Sequence, residues 1–229
     1  DKIESLVGTV RHVSDNIAHD LRTPLTRLRN KIEVVAASSP ESLRAELESS
    51  VADADELLLT FASLLRIARI ESGTYSPTLE KIDLSVILAD AADLYQGVAS
   101  ERNVVLVSDT DPSLVINGDR NLMFQAISNL LDNAVKNSPN EGAVGLVATE
   151  ENNEVQLRIH DNGPGIPEEE YDRVLERFSR LDQSRSLPGS GLGLSVVKAV
   201  VELHAGTLRF RNNDPGLMVE LKFPSNKIL

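Results

Sequence analysis

Apolar positions recur at three- and four-residue steps from the start of the chain. Val10, Val13, Ile17, Leu21, Leu25, Leu28, Ile32 and Val35 fall on one helical face. The stretch from Ala36 to Ser39 breaks that pattern and reads as a turn. Ser39 is placed to cap a second helix, with Pro40 at its first position and Glu41 just inside. The second stripe is Leu43, Leu47, Ser50, Ala54, Leu57, Phe61, Leu64 and Ala68. It alternates steps of four and three, the spacing of coiled-coil-like packing. Gly73 is placed to end this helix. One hairpin with two such stripes leaves apolar surface in water. Two hairpins bury it as a four-helix bundle, so a homodimer is expected.

From Tyr75 the periodicity changes, and Pro77 marks a linker. The expected organisation is residues 1–74 as a helical hairpin and 75–229 as a second domain. In the second, Lys81 to Val86 reads as a short strand and Leu84 to Arg102 as a helix. Val104 to Val107 and Leu114 to Ile116 read as strands separated by Asp111-Pro112. Asp119 is placed to cap a helix running to about Asn137. Gly142 to Thr149 and Val155 to His160 read as a hairpin. Leu192 to His204 reads as a helix closed by Gly206. Thr207 to Arg211 and Leu217 to Phe223 form a last hairpin around Asn213-Asp214-Pro215-Gly216. Strands interleaved with helices predict a two-layer α/β sandwich, so the fold class is α followed by α/β. There are no internal repeats.

Composition narrows the picture. With 229 residues, 41% of them hydrophobic, the chain has enough apolar material for one or two packed domains. No apolar run approaches the roughly 18 residues that span a bilayer, so this piece is expected to be soluble. It starts at Asp1 rather than Met and is read as part of a longer protein. The absence of cysteine excludes disulfides and thiolate zinc sites. A net charge of -12 argues against broad nucleic-acid binding. Leu21 to Ile32 breaks that trend, with Arg22, Arg27, Arg29 and Lys31 and no acid. This basic collar fits an acidic partner, or simply a solvated helix face.

Candidate chemistry falls in two places. His19 lies roughly opposite the centre of its helix's apolar stripe, at about 100° per residue, and Thr23 shares its face. A neutral imidazole is a good nucleophile, and its free pKa of about 6.5 leaves it neutral near pH 7. The adjacent Asp20 carboxylate is placed to take the proton of the other ring nitrogen during attack on phosphorus. Pro24 removes a backbone donor from the helix, which costs about 3 kcal/mol unless compensated. On position alone, a solvated bystander is the more ordinary reading of His19, and its neighbours change that.

The second place is glycine-rich. Asn129, Asn133 and Lys136 share one helix face. Side-chain amides are hard oxygen ligands for Mg²⁺ that add no negative charge beside phosphates, and Lys136 can neutralise phosphate. The same three residues would also make an ordinary polar face. Asp161-Asn162-Gly163-Pro164-Gly165 follows a strand, and its glycines allow positive φ and close approach of a flat ligand. The Asp161 carboxylate can accept from an adenine amino group. Gly189, Gly191 and Gly193 precede a helix whose bare N-terminal amides attract phosphate, with Leu194 next in line. Phe178 to Pro188 between the two loops is polar and reads as a lid. Arg180 and Arg185 within it can reach phosphate or be plain surface charge.

Taken in order, these segments resemble a bacterial two-component sensor histidine kinase over nearly the whole chain. They match its H box (His19 to Pro24), N box (Asn129 to Lys136), first G box (Asp161 to Gly165), F box (Arg177-Phe178) and second G box (Gly189 to Gly193). The resemblance implies a dimerisation and phosphotransfer domain followed by an ATP-binding domain of the histidine kinase, gyrase and MutL type. It implies that His19 is phosphorylated from ATP, that Asp20 accepts its proton and that a response regulator's receiver domain then takes the phosphoryl group. Thr23 completes a His-Asp-x-x-Thr pattern that in similar kinases positions water for dephosphorylating the regulator. Asn133 is implied as the main Mg²⁺ ligand, with Asn129 and Lys136 close to phosphate, Asp161 as the adenine reader and Arg180 as a further phosphate contact. It also implies an N-terminal membrane anchor, this chain being the cytoplasmic portion of an inner-membrane protein. ATP hydrolases of the related gyrase and mismatch-repair type carry Glu where Asn129 stands, and an amide cannot take a proton from water. A nucleotide-binding scaffold without catalysis is disfavoured by the His19-Asp20 pair.

Overall fold

The computed structural model describes residues 26–36, 40–73, 75, 79–180 and 191–226. The chain divides into two compact units, Asp1–Tyr75 and Ser76–Leu229.

In the first unit, residues 26–36 are helical (α1), and α2 runs Glu41–Glu71. Pro40 occupies the N-cap position, with extended backbone (φ -55°, ψ 149°) and no side-chain cap bond. This corrects the expectation of proline inside the first turn by one residue. Proline has the φ a helix needs, but this ψ places it just outside. At the other end Ser72 caps α2, and Gly73 turns left-handed at φ +64° as expected. The two helices are tied by Arg29, whose Nε donates to Asp55 Oδ1 at 2.7 Å while Nη1 reaches Glu33 at 3.1 Å. Arg29 therefore leaves the basic collar, because its side chain is held along the hairpin. Leu28, Val35, Leu43 and Leu57 of the apolar stripes remain about half exposed in this single chain, whereas Ala54 and Ile67 are buried.

The second unit is the two-layer sandwich. Its strands are β1 (Glu80–Asp83), β2 (Val105–Thr110), β3 (Val115–Gly118), β4 (Ala143–Glu151), β5 (Glu154–Asp161), β6 (Thr207–Asn212) and β7 (Leu217–Pro224). Its helices are α3 (Leu84–Glu101), α4 (Arg120–Asn137) and α5 (Gly193–Leu203). The main sheet has the order β2-β4-β5-β7-β6, and β1 and β3 form a separate ribbon. Pairing is antiparallel except between β2 and β4, where Leu106 lies opposite Val144 in a parallel ladder. The connection between those two strands contains β3 and α4.

Alternation along the strands explains the layering. Val144, Leu146 and Ala148 of β4, Val155, Leu157 and Ile159 of β5, and Val219, Leu221 and Phe223 of β7 are buried toward the helices. Leu122, Met123, Ala126, Ile127, Leu130, Leu131, Ala134 and Val135 make the buried face of α4. Each large aliphatic side chain fully removed from water there contributes about 1.5–3 kcal/mol. The outer sheet face is polar toward β6. There Glu220, 5% exposed, sits between Arg158 and Arg211, each 3.5 Å away.

The helix ends follow local rules. Asp83 caps α3 by accepting from Ser85 N at 3.0 Å and Ser85 Oγ at 2.6 Å. Asp119 caps α4 by accepting from Asn121 N at 3.0 Å and Leu122 N at 3.1 Å. Ser138 ends α4 because the following Pro139 forces it extended, at ψ 140°. After α5 the left-handed residue is Ala205 (φ +52°) rather than Gly206. Glycine is needed at 206 for space, since a Cβ would lie 2.7 Å from both the Lys222 carbonyl oxygen and the Phe223 ring. Among the described residues, no helix is long and apolar enough to cross a membrane.

Candidate nucleotide site

Three elements converge on one end of the sandwich. The first is the side of α4 left uncovered by the core, which carries the half-buried Asn129, Asn133 and Lys136. The second is the loop after β5, and the third is the N-terminus of α5. Asn129 Nδ2 donates to Gly193 O at 3.3 Å. A Cβ on Gly193 would lie 3.7 Å from Asn133 Nδ2, so both amides stand at the first turn of α5. Free N–H groups at that turn favour an anion. Asn137 Nδ2 donates back to Asn133 O at 2.8 Å and holds the last turn of α4.

Lys136 is partnered. Its Nζ lies 2.6 Å from Asp132 Oδ2, one turn back, with both side chains about one-third exposed. Asp132 also acts on Tyr95 of α3, whose hydroxyl is pushed up to about 12, by burial first and by the Asp132 charge second. Asp132 was absent from the residues singled out by sequence, although its spacing of four from Lys136 is a legible signal.

Asp161 ends β5 and is 6% exposed. Its Oδ1 accepts from Gly163 N at 2.8 Å and from Leu217 N at 3.3 Å. Burial raises its pKa above the ordinary 3.8; the two backbone bonds and the nearby His160 pull the other way. Gly163 presses against the Asn137 carbonyl so closely that a Cβ would overlap it, which joins this loop to the end of α4. Gly165 takes φ +70°, a conformation suited to glycine.

Gly191 also sits at φ +70°. A Cβ there would lie 3.0 Å from the Phe178 carbonyl carbon and from Ser179 O. Phe178 itself is left-handed (φ +60°) and 57% exposed. Leu194 follows Gly193 in the first turn of α5, and Arg180 is half-buried two residues after Phe178. The structure thus brings Asn129, Asn133 and Gly193 together, joins Gly163 to the end of α4, and sets Gly191 against Phe178. His19, Asp20, Thr23, Arg185 and Gly189 lie outside the described residues.

Among the described residues no cluster of three His, Cys, Asp or Glu could hold a metal ion. The amide oxygens of Asn129 and Asn133 are hard donors, of the kind a divalent cation takes alongside phosphate and water.

Comparison with known proteins matches both parts of the chain to described families. Residues 9–73 match the family described as "His Kinase A (phospho-acceptor) domain". Residues 118–227 match the family described as "Histidine kinase-, DNA gyrase B-, and HSP90-like ATPase". The signal transduction histidine-protein kinase/phosphatase MprB of Mycolicibacterium smegmatis is 35% identical over 239 residues, covering 98% of this chain and 47% of MprB. The chain spans about half the length of the curated relatives it matches. A solved structure of a mycobacterial sensor histidine kinase MprB is 32% identical, with a TM-score of 0.59, over 66% of this chain and 100% of that one. Full-length ShkA, solved in complex with AMPPNP, shares the fold at a TM-score of 0.82 and 22% identity, over 95% of this chain and 46% of its own. With an acceptor-type segment preceding a sandwich of this ATPase type, the chain belongs to the two-component sensor histidine kinases.

Proposed function

We propose that this chain phosphorylates itself on His19 with ATP and then passes the phosphoryl group to an aspartate of a response regulator. The observation that carries the reading is the pairing of Asn129 and Asn133 with Gly193 at the start of α5, in the same sandwich as the buried acceptor Asp161. One end suits phosphates and the other suits a base bearing an amino group. No carboxylate stands at Asn129 to activate water, which favours transfer over hydrolysis.

The roles follow from the residues. Residues 1–74 serve as the dimerisation and phosphotransfer domain, and 75–229 as the catalytic domain. Asn133 would hold Mg²⁺ through its amide oxygen, and the ion would screen phosphate charge. Asn129, Lys136 and the amides following Gly189, Gly191 and Gly193 orient the triphosphate, with Arg180 as a further cation. Gly163, Gly165 and Leu194 shape the walls. The His19 imidazole attacks the γ-phosphorus in line, ADP leaves, and Asp20 takes the ring proton. The half-exposed Leu28, Leu43 and Leu57 favour a second hairpin as partner, giving a homodimer. MprB is named as both kinase and phosphatase, and Thr23 four residues after His19 favours the same pairing here. By the same family likeness, this chain is the cytoplasmic part of a protein anchored through an N-terminal region.

The test is incorporation of γ-labelled phosphate with Mg²⁺ in wild type and in His19→Gln. Acid-labile label lost in the variant is the expected result. Label retained in the variant, or none in wild type despite ATP binding, would sink the proposal.

A further inference from the structure

The turn between β6 and β7 grips Asp161 from a distance of more than fifty residues in sequence. Asn213 Nδ2 donates to the main-chain oxygen of Asp161 at 2.8 Å. The Asn213 N–H donates to Gly216 O at 3.0 Å, which closes the turn on itself. Just after the turn, Leu217 N–H reaches Asp161 Oδ1 at 3.3 Å, the oxygen already taken by Gly163 N–H. Gly216, at φ +115°, lies so close to the Asp161 carbonyl that a Cβ would overlap it. A Cβ on Gly165 would in turn stand 2.9 Å from Gly216 O. The aspartate is thus held at its carbonyl and at one carboxylate oxygen by the same turn. Among the described residues, nothing donates to Oδ2.

We propose that Asn213 is a positioning residue for base recognition. With Leu217 N–H it fixes the Asp161 carboxylate so that Oδ2 is the acceptor presented to an exocyclic amino group, and so sets discrimination between amino- and oxo-purine nucleotides. The inference rests on Asp161 as the base contact. A donor is required at 213, because a carboxylate there would face the Asp161 carbonyl oxygen. A fixed, buried acceptor rewards a base that donates and penalises one that presents a carbonyl, whereas a loosened carboxylate can turn away from both.

Equilibrium binding of ATP and of inosine triphosphate to the full 229-residue chain tests this, with folding of each variant verified by its melting transition. Asn213→Ala is expected to weaken ATP about tenfold and inosine triphosphate less than about twofold, collapsing the preference. Asn213→Ser, which keeps a donor, should restore part of that preference and serves if the alanine variant fails to fold. Equal weakening of both nucleotides, or an unchanged ratio, overturns the inference and leaves Asn213 a hairpin staple. Asp161→Asn separates the two levels. If it shifts the ratio toward inosine triphosphate while Asn213→Ala does not, only the role of Asn213 fails; if it leaves the ratio at the wild-type value, the base contact itself is wrong and the inference falls with it.

Discussion

His204 fastens the end of one helix to the start of another through Asp119. Its Nε2 accepts the Asp119 backbone N–H at 2.9 Å, and its Nδ1 lies 2.6 Å from the Val200 carbonyl. These partners assign a neutral imidazole with the proton on Nδ1. Asp119 in turn caps α4 with its side chain. The close of α5 and the opening of the asparagine-bearing helix are therefore one joint. Gly118 makes room for it, since a Cβ there would lie 2.8 Å from the imidazole.

That joint makes stability depend on pH. Burial holds His204 below its ordinary 6.5, against the opposing pull of the Val200 bond and the Asp119 charge. The folded state thus binds fewer protons than the unfolded one. The contribution is complete above about pH 6.5 and is lost as pH falls through the folded value. The melting temperature should drop between about pH 7 and 5 in wild type, and less steeply in His204→Gln. His204→Ala should cost about 1–3 kcal/mol at pH 7 by denaturant titration, since it removes the imidazole that accepts the Asp119 N–H.

Asp161 works in the opposite sense for stability and in the same sense for binding. Burial raises its folded pKa above 3.8. Stability from this group is fully present below 3.8 and is lost as pH rises through the folded value. The ionised form is the stronger acceptor for an amino group. ATP affinity should therefore fall, on acidification, at a higher pH than an ordinary aspartate would give. Titration calorimetry across pH 4 to 8 measures this, and a flat wild-type profile would contradict it.

Asn133→Ala should reduce autophosphorylation by on the order of 100-fold if, as proposed, its amide holds the metal. Its melting temperature should stay near that of wild type, because the side chain points away from the core-facing stripe of α4. An equally large loss of stability would reassign Asn133 to structure.

The basic collar divides into two parts. Reversing Arg22 and Arg27 to Glu should slow transfer to a receiver domain and spare autophosphorylation. Arg29→Glu should instead loosen the hairpin by no more than about 1 kcal/mol, since its partner Asp55 is partly exposed. A double-mutant cycle with Asp55→Ala isolates that pair, while equal transfer rates in the Arg22/Arg27 variant would remove the docking role.

Much of the sandwich was legible because its boundaries are written locally. Asp119 and the Ser138-Pro139 step bracket α4, and Gly73 stops α2. The hairpins β4–β5 and β6–β7 show as alternating runs around short turns. The parallel pairing of β2 with β4 was not legible, because a parallel neighbour leaves no connecting turn to read. Asn213 was equally hidden, for its partner is fixed by the register of β7 on β5 rather than by spacing. Glu220 reads as a surface charge until that register sets it between Arg158 and Arg211. The stripe of α2 gave its helix and that of α1 holds over residues 26–36, but neither gave its facing side, since one chain covers only part of each.

The parallel ladder between β2 and β4 encloses α4 within its own connection. This helix is held along its buried face and, at its start, by the Asp119–His204 joint, so it is expected to open together with the sandwich. Backbone amides from Leu130 to Ala134 should accordingly exchange with solvent only through global unfolding. On the proposed reading, differences between nucleotides are then met by the loops around it, the β6–β7 turn included. The helix supplies a fixed reference against which those loops are measured.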